Sequence, residues 1–264
     1  MQEATGDVAL QVAVSVVSHG QGELLQPLLQ QLRELAAVVP LQVIVTLNLP
    51  EAHPFVTEAP GFELIWIENV VPKGFGENHN AAFAFCGADY FCVLNPDIHV
   101  GPRSLTPLLD NVRLYPGVVG PRVVSPQGRI EDSARRVLSP WRLFKRFWRG
   151  HRTADYLPTI PVQQVDWVAG MCMVFDRESF RDVGGFDSRY RLYCEDTDIC
   201  LRMHLLGRSV TWVQEAVVVH DAQRASHRKW RYLAWHIASL GRLFSSKAYW
   251  RYRLGLARAD IQHK

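Results

Sequence analysis

Apolar positions along this chain recur in two rhythms that take turns. Residues 8–17 form an apolar, β-branched run, which predicts a strand ending at Ser18-His19-Gly20. Over residues 23–38 the period lengthens to that of a helix, with Leu24, Leu28, Leu32 and Leu35 on one face. Strands are predicted again at Leu41–Leu47, Glu63–Glu68 and Tyr90–Leu94, with a short helix of small residues at 81–86 before the last. Past Asp97 the pattern loosens. Residues 118–124 read as a strand interrupted by turn formers, 166–175 as a strand and 178–183 as a short helix. Residues 196–206 read as a helix stopped by Gly207, and 210–219 as a last strand ending at His220. Strand and helix alternating in this way predict an α/β fold: a mixed, mostly parallel sheet flanked by helices.

Composition narrows the class. With 48% hydrophobic and 21% charged residues over 264 positions, the chain can bury the core of one large α/β domain. A net charge of +3 is too mild to imply general affinity for nucleic acid. The five cysteines form no Cys-x-x-Cys pair and sit in apolar runs, as reduced, buried thiols do. Residues 1–7 lack a basic-then-apolar leader pattern, and no apolar run reaches membrane-spanning length. The expectation is a cytoplasmic protein, peripheral at most on a membrane surface.

Charge placement adds chemistry. Asn95-Pro96-Asp97 directly follows a predicted strand, where α/β sheets bind their ligands. Magnesium or manganese bridging a diphosphate takes only one or two protein carboxylates, so Asp97 is a candidate metal ligand. His220 closes the last strand and is either a second metal ligand or a histidine hydrogen-bonded within its loop. Glu195-Asp196-Thr197-Asp198 opens a helix, where acidic residues suit the positive end. Three carboxylates within four residues exceed what capping needs, and their repulsion raises a pKa toward general-base values. Residues 73–80, Lys-Gly-Phe-Gly-Glu-Asn-His-Asn, let backbone approach an anion at a helix start, although ordinary strand-to-helix turns share that chemistry.

Taken together and in this order, these segments resemble family 2 inverting glycosyltransferases with the GT-A fold. The likeness runs through residues 14–20, 74–80, 94–97, 165–170, 184–187 and 193–202. It is strongest toward the rhamnosyltransferase branch that builds bacterial O-antigen and cell-wall glycans, and within it toward enzymes that add L-rhamnose to a GlcNAc-diphosphate-polyprenol. The resemblance implies that Asp97, with Asn95 where a first Asp often stands, holds Mg2+ or Mn2+ together with His220. It implies that Asp196 deprotonates the acceptor hydroxyl while Glu195 shapes its surroundings. Asp166 and Trp167 would line the sugar and acceptor side. Ser18, Asn48, Lys73, Gly74, Gly76 and Asn78 would surround the nucleotide. The turns at Ser18-His19-Gly20 and Thr46-Leu47-Asn48-Leu49 depart from the family's Thr-Tyr-Asn and Asp-Asn-x-Ser patterns, so base contacts differ from the usual uracil set and a dTDP-sugar fits. The implied partners are a nucleotide-sugar donor, dTDP-L-rhamnose foremost, and a polyprenol-diphosphate-linked saccharide. Alternatives are the same mechanism with a UDP-hexosamine or UDP-galactofuranose, or a degenerate sugar-nucleotide-binding subunit.

Composition shifts again after Asp221. The tail carries Arg224, Arg228, Lys229, Arg231, Arg242, Lys247, Arg251, Arg253 and Arg258, with Asp260 its sole acidic residue. Trp230, Leu233, Ala234, Ile237, Leu240, Gly241 and Phe244 recur at helical spacing. A basic amphipathic helix with tryptophans suits an anionic membrane surface, or packs on the domain with its basic face in water. Arg142, Lys145, Arg146, Phe147, Trp148 and Arg149 form a second patch of this kind. The division expected is a catalytic domain over 1–221 and a membrane- or acceptor-associated helical segment over 222–264.

Overall fold

The computed structural model describes residues 11–52, 61–137, 139, 155–221 and 229–255. The first strand, β1 (Val12–Ser18), is followed by α1 (Gly22–Ala36), β2 (Leu41–Leu47) and β3 (Glu63–Glu68). Next come α2 (Phe75–Phe83), β4 (Tyr90–Leu94), β5 (Ile98–His99), α3 (Thr106–Leu114) and β6 (Gly117–Val124). Short strands β7 (Ala134–Arg135), β8 (Val162–Gln164) and β9 (Trp167–Val168) lead into β10 (Cys172–Asp176) and α4 (Arg177–Asp182). The chain then forms α5 (Glu195–Leu205), β11 (Ser209–His220), α6 (Lys229–Ser245) and α7 (Lys247–Arg253).

Among the described residues, nine strands make one sheet in the order β3-β2-β1-β4-β10-β6-β11-β5, with β8 added alongside β11. β1 is parallel to β2 and β4, and β6 to β11, while β10 runs antiparallel between β4 and β6. The carboxyl ends of β1, β2, β3, β4, β6 and β11 therefore lie on one edge, joined by the start of β10. Buried leucines of α1 and α3 cover one face, and α2, α4 and α5 cover the other with Ala82, Phe180, Ile199 and Met203. With both faces covered, the central strands read as apolar runs rather than alternations.

Five elements differ from the sequence expectation. Helix α2 starts at Phe75, six residues before the predicted 81, because the Gly, Asn and His at its start have weak helix propensity and tertiary packing overrides it. Residues 166–175 are two strands rather than one. β9 pairs with β7 in a separate two-stranded sheet, and Ala169-Gly170-Met171 breaks the chain before β10. β6 is continuous through Gly120-Pro121, and β5 and α3 form where no periodicity was evident. Arg142 to Arg149, with Arg224, Arg228 and Arg258, lie outside the described residues.

Candidate active site

The two-residue strand β5 does much of the site's construction. It turns back from Asp97 and pairs antiparallel with the end of β11, His220 opposite Ile98. The Asp221 N–H donates to the Asp97 carbonyl at 3.0 Å, which closes that corner. Residues 123 positions apart thus meet, with His220 Nε2 3.3 Å from Asp97 Oδ2. On its other side His220 Nδ1 lies 2.7 Å from Glu131 Oε2. Glu131 arrives by a reverse turn: the Ser125 N–H donates to the Arg129 carbonyl, Gly128 takes a left-handed φ of 76°, and the Glu131 N–H donates back to Val123. Val123 and Val124 pair with Val218 and Val219 of β11, so the returning chain lies beside His220. The hydrogen bond with Asp97, joined by that with Glu131, outweighs burial and lifts His220 to about 9.

The acidic pair enters by a strained turn. Tyr193 and Cys194 both have left-handed backbone, at φ 73° and 67°, a conformation that costs bulky residues on the order of 1 kcal/mol or more each. That turn aims the first residues of α5. Asp196 Oδ1 accepts the Thr197 N–H at 2.7 Å and Oδ2 accepts the Gly170 N–H at 3.1 Å. Gly170 is where three elements converge: a Cβ there would meet Phe75 at 3.3 Å and Asp196 Cβ at 3.6 Å. The neighbouring Met171 carbonyl accepts the Asn95 N–H at 2.9 Å, which ties the acidic pair to the corner holding Asp97. Glu195 is 5% exposed, and its Oε2 has no hydrogen-bond partner. Burial, then the neighbouring Asp196 charge, lifts it to about 8. Burial also raises Asp196, opposed by its backbone hydrogen bonds and by the Arg135 charge. Asp198 does other work: its ion pair to Arg202 at 2.8 Å, with Arg202 donating to the Val183 carbonyl, anchors α5 to the end of α4.

The residues at the Asp97 corner fit a divalent cation. Asp97 Oδ1 is buried with no hydrogen-bond partner, and a histidine nitrogen converges on the same carboxylate. No group of three or more His, Cys, Asp or Glu side chains suited to a metal occurs among the described residues. Asp97 and His220 could hold a cation only with a bound diphosphate and water completing the shell.

No family model matches the chain. In sequence it is 35% identical, over 151 residues, to the N-acetylglucosaminyl-diphospho-decaprenol L-rhamnosyltransferase of Mycobacterium tuberculosis, a match covering 53% of this chain and 49% of that protein. The chain thus spans about half the length of this relative. To rhamnosyltransferase WbbL of Escherichia coli it is 27% identical over 194 residues, covering 66% of this chain and 71% of that one. In structure it superposes on GalNAc-T7, solved with UDP, GalNAc and Mn2+, with a TM-score of 0.61 at 12% identity, covering 82% of this chain and 44% of that one. Mannosyltransferase PcManGT from Pyrobaculum calidifontis, solved with GDP-Man and Mn2+, gives 0.58 at 17% identity, covering 88% and 64%. The structural likenesses carry the fold. The chain has the GT-A glycosyltransferase fold and is similar in sequence to these two rhamnosyltransferases.

In this GT-A chain the residues expected around the nucleotide do assemble, though largely on one another. The Asn48 N–H donates to the Ser18 carbonyl at 2.9 Å. Asn48 Oδ1 accepts from the Lys73 N–H at 2.8 Å and from Asn69 Nδ2 at 2.9 Å, while its own Nδ2 donates to the Lys73 carbonyl at 3.0 Å. Asn69 also donates to Asn78 Oδ1, and Asn78 to the Gly74 carbonyl. Ser18 Oγ accepts the Gln21 N–H at the entry to α1. Gly74 and Gly76 answer to packing: a Cβ on Gly76 would lie 2.5 Å from Phe186 Cβ, and one on Gly74 would lie 3.0 Å from the Tyr190 carbonyl. These asparagines and glycines shape the loop from within, leaving Lys73 the cation at its head.

Asp166 likewise spends its carboxylate internally, accepting from the Val137 N–H at 2.8 Å and the Tyr156 hydroxyl at 3.1 Å. Trp167 is half-buried, with the Arg135 guanidinium 5.6 Å from its ring. Sequence reading missed Glu131, Asn69 and Arg135. For Glu131 the Ser125-Pro126-Gln127-Gly128 turn directly after β6 was the available signal; Arg135 is placed by the β7–β9 pairing and left none.

Proposed function

We propose that this protein is an inverting, metal-dependent glycosyltransferase that moves L-rhamnose from dTDP-L-rhamnose onto a lipid-linked saccharide such as GlcNAc-diphosphate-polyprenol, at the inner face of a bacterial cytoplasmic membrane. The observation that carries the reading is the convergence, on one sheet edge, of the Asp97–His220 pair and the Glu195–Asp196 pair. The names of the two sequence relatives support the sugar and the acceptor class.

Asp97 and His220 would hold Mg2+ or Mn2+, which neutralises negative charge developing on the diphosphate leaving group. Asp196 accepts the proton of the attacking acceptor hydroxyl at a carboxylate oxygen. The Gly170 and Thr197 N–H groups fix that carboxylate's plane, and partial burial raises its proton affinity. Burial and the neighbouring Asp196 charge make Glu195 hold its proton more tightly, which favours Asp196 as the one that ionises. Attack opposite the leaving group inverts the anomeric carbon in one displacement, with no nucleophilic Ser or Cys required. The test is thermal stabilisation by a panel of sugar nucleotides with and without Mn2+. A metal-dependent shift by dTDP or dTDP-rhamnose is expected. Preference for UDP- or GDP-sugars would remove the rhamnose assignment, and no shift with any of them would remove the enzyme assignment.

A further inference from the structure

Helix α6 carries the wrong residues on its outer face. Its inner face docks on the turn that leads to the acidic pair. Ser239 Oγ donates to the Leu192 carbonyl at 2.8 Å, His236 packs edge-on against Tyr193 with centroids 4.9 Å apart, and Arg191 lies over Trp235 at 5.1 Å. Leu243 is buried below. The opposite arc, roughly 140° wide at 100° per residue, holds Trp230, Leu233, Ala234, Ile237, Ala238 and Gly241, all exposed. Trp230 is 85% exposed, Ile237 60% and Leu233 46%. A surface helix normally puts its charges on that arc. Here no charge interrupts it.

We infer that this arc is a membrane-contact surface that lies in the headgroup region of an anionic bilayer. Charge selects the occupant. Residues 229–255 contain no Asp or Glu, while Arg242 of α6, its guanidinium 5.9 Å from the Tyr190 ring, and Lys247, Arg251 and Arg253 of α7 are exposed. Apolar residues and tryptophan on a cationic helix match an interface of acyl chains and anionic headgroups. A second copy of this chain would instead bring the same uncompensated cations face to face. No helix among the described residues is long and apolar enough to cross a bilayer, so α6 lies along the surface. Its inner face touches residues 191–193, so docking would hold Glu195 and Asp196 about one helix diameter, on the order of 10 Å, from the lipid. That is where the diphosphate and first sugar of a membrane-bound acceptor would project. The inference rests on the acceptor class proposed above for its purpose, although the surface itself is argued from α6 and α7 alone.

The test is vesicle flotation of the full chain, without donor or metal, on phosphatidylcholine with and without phosphatidylglycerol. Wild type is expected to float with the anionic vesicles only, less so at high salt. Ile237→Glu and Leu233→Glu, both at exposed positions, should each lower the partition coefficient about tenfold or more with the melting temperature unchanged. Three results would overturn the inference: no flotation of wild type, flotation of both variants like wild type, or a dimer in sedimentation that Ile237→Glu dissociates. Donor-nucleotide shifts are measured on the same proteins. Flotation without any nucleotide shift would sink the proposed activity and keep the surface, and the reverse would do the opposite.

Discussion

Asp196 receives one backbone N–H on each carboxylate oxygen, a geometry that an amide can copy only in part. Asp196→Asn turns one accepting oxygen into a donor facing an N–H, at a cost on the order of 1 kcal/mol in stability. The larger effect is on chemistry. Loss of the proton acceptor should lower kcat by about 10²–10⁴-fold while the thermal shift with dTDP and Mn2+ persists; steady-state kinetics beside the thermal shift separate the two. Glu195 makes the pH prediction. Its pKa rises in the fold from 4.5 to about 8, so the native state keeps a proton that the unfolded chain releases across this window. A pKa raised on folding contributes stability that is complete below the lower value and is lost as pH climbs through the upper one. Glu195→Gln should therefore gain stability relative to wild type as pH rises from about 5 to 8, read as the urea midpoint at each pH. Both residues were legible in the sequence as an acidic run at a helix start. What was not legible is that Asp198 faces Arg202 while Asp196 takes the Gly170 and Thr197 N–H groups.

Between elements, the joint that decides the shape of the site is a single asparagine. Asn80 of α2 donates to the Phe186 carbonyl at 2.7 Å and accepts the Phe186 N–H at 2.9 Å, locking α2 to the segment before α5. Gly185, at φ 68°, and Gly76 leave the room this close approach needs. Asn80→Ala would strand two backbone groups, with an expected loss of about 1–3 kcal/mol in urea unfolding. Donor-induced thermal shifts should weaken too, because Lys73 and Gly74 lose their support. The start of α2 and the break at 169–171 escaped a periodic reading for one reason. Each is set by contacts with residues outside its own element, Asn80 with Phe186 106 positions away and Gly170 with Asp196 26 positions away, and local propensity there points elsewhere.

For the molecule as a whole, ligand linkage reports on the Asp97 corner. Ligand at about 100 times its Kd stabilises a fold by about 2.7 kcal/mol. In wild type the stabilisation by dTDP should grow when Mn2+ is added. His220→Ala should abolish that metal-dependent part and keep the metal-independent remainder, read as melting temperatures over a Mn2+ titration. Asp97 and His220 are 123 residues apart, so only a sheet carrying β4 and β11 to the same edge makes them one site.

By itself the sequence determined the alternation of strands and helices, the apolar faces of α1 and the central strands, and the chemistry-bearing residues at strand ends. Periodicity and residue type are local properties, and the core forces them to show. Tertiary structure alone decided that β10 runs antiparallel between β4 and β6, that Glu131 reaches His220, that Asn48 and Asp166 turn their polar groups inward, and that the apolar arc of α6 faces outward. Those outcomes depend on which distant groups become neighbours, and hydrogen-bond satisfaction and burial are settled only once the chain has closed on itself.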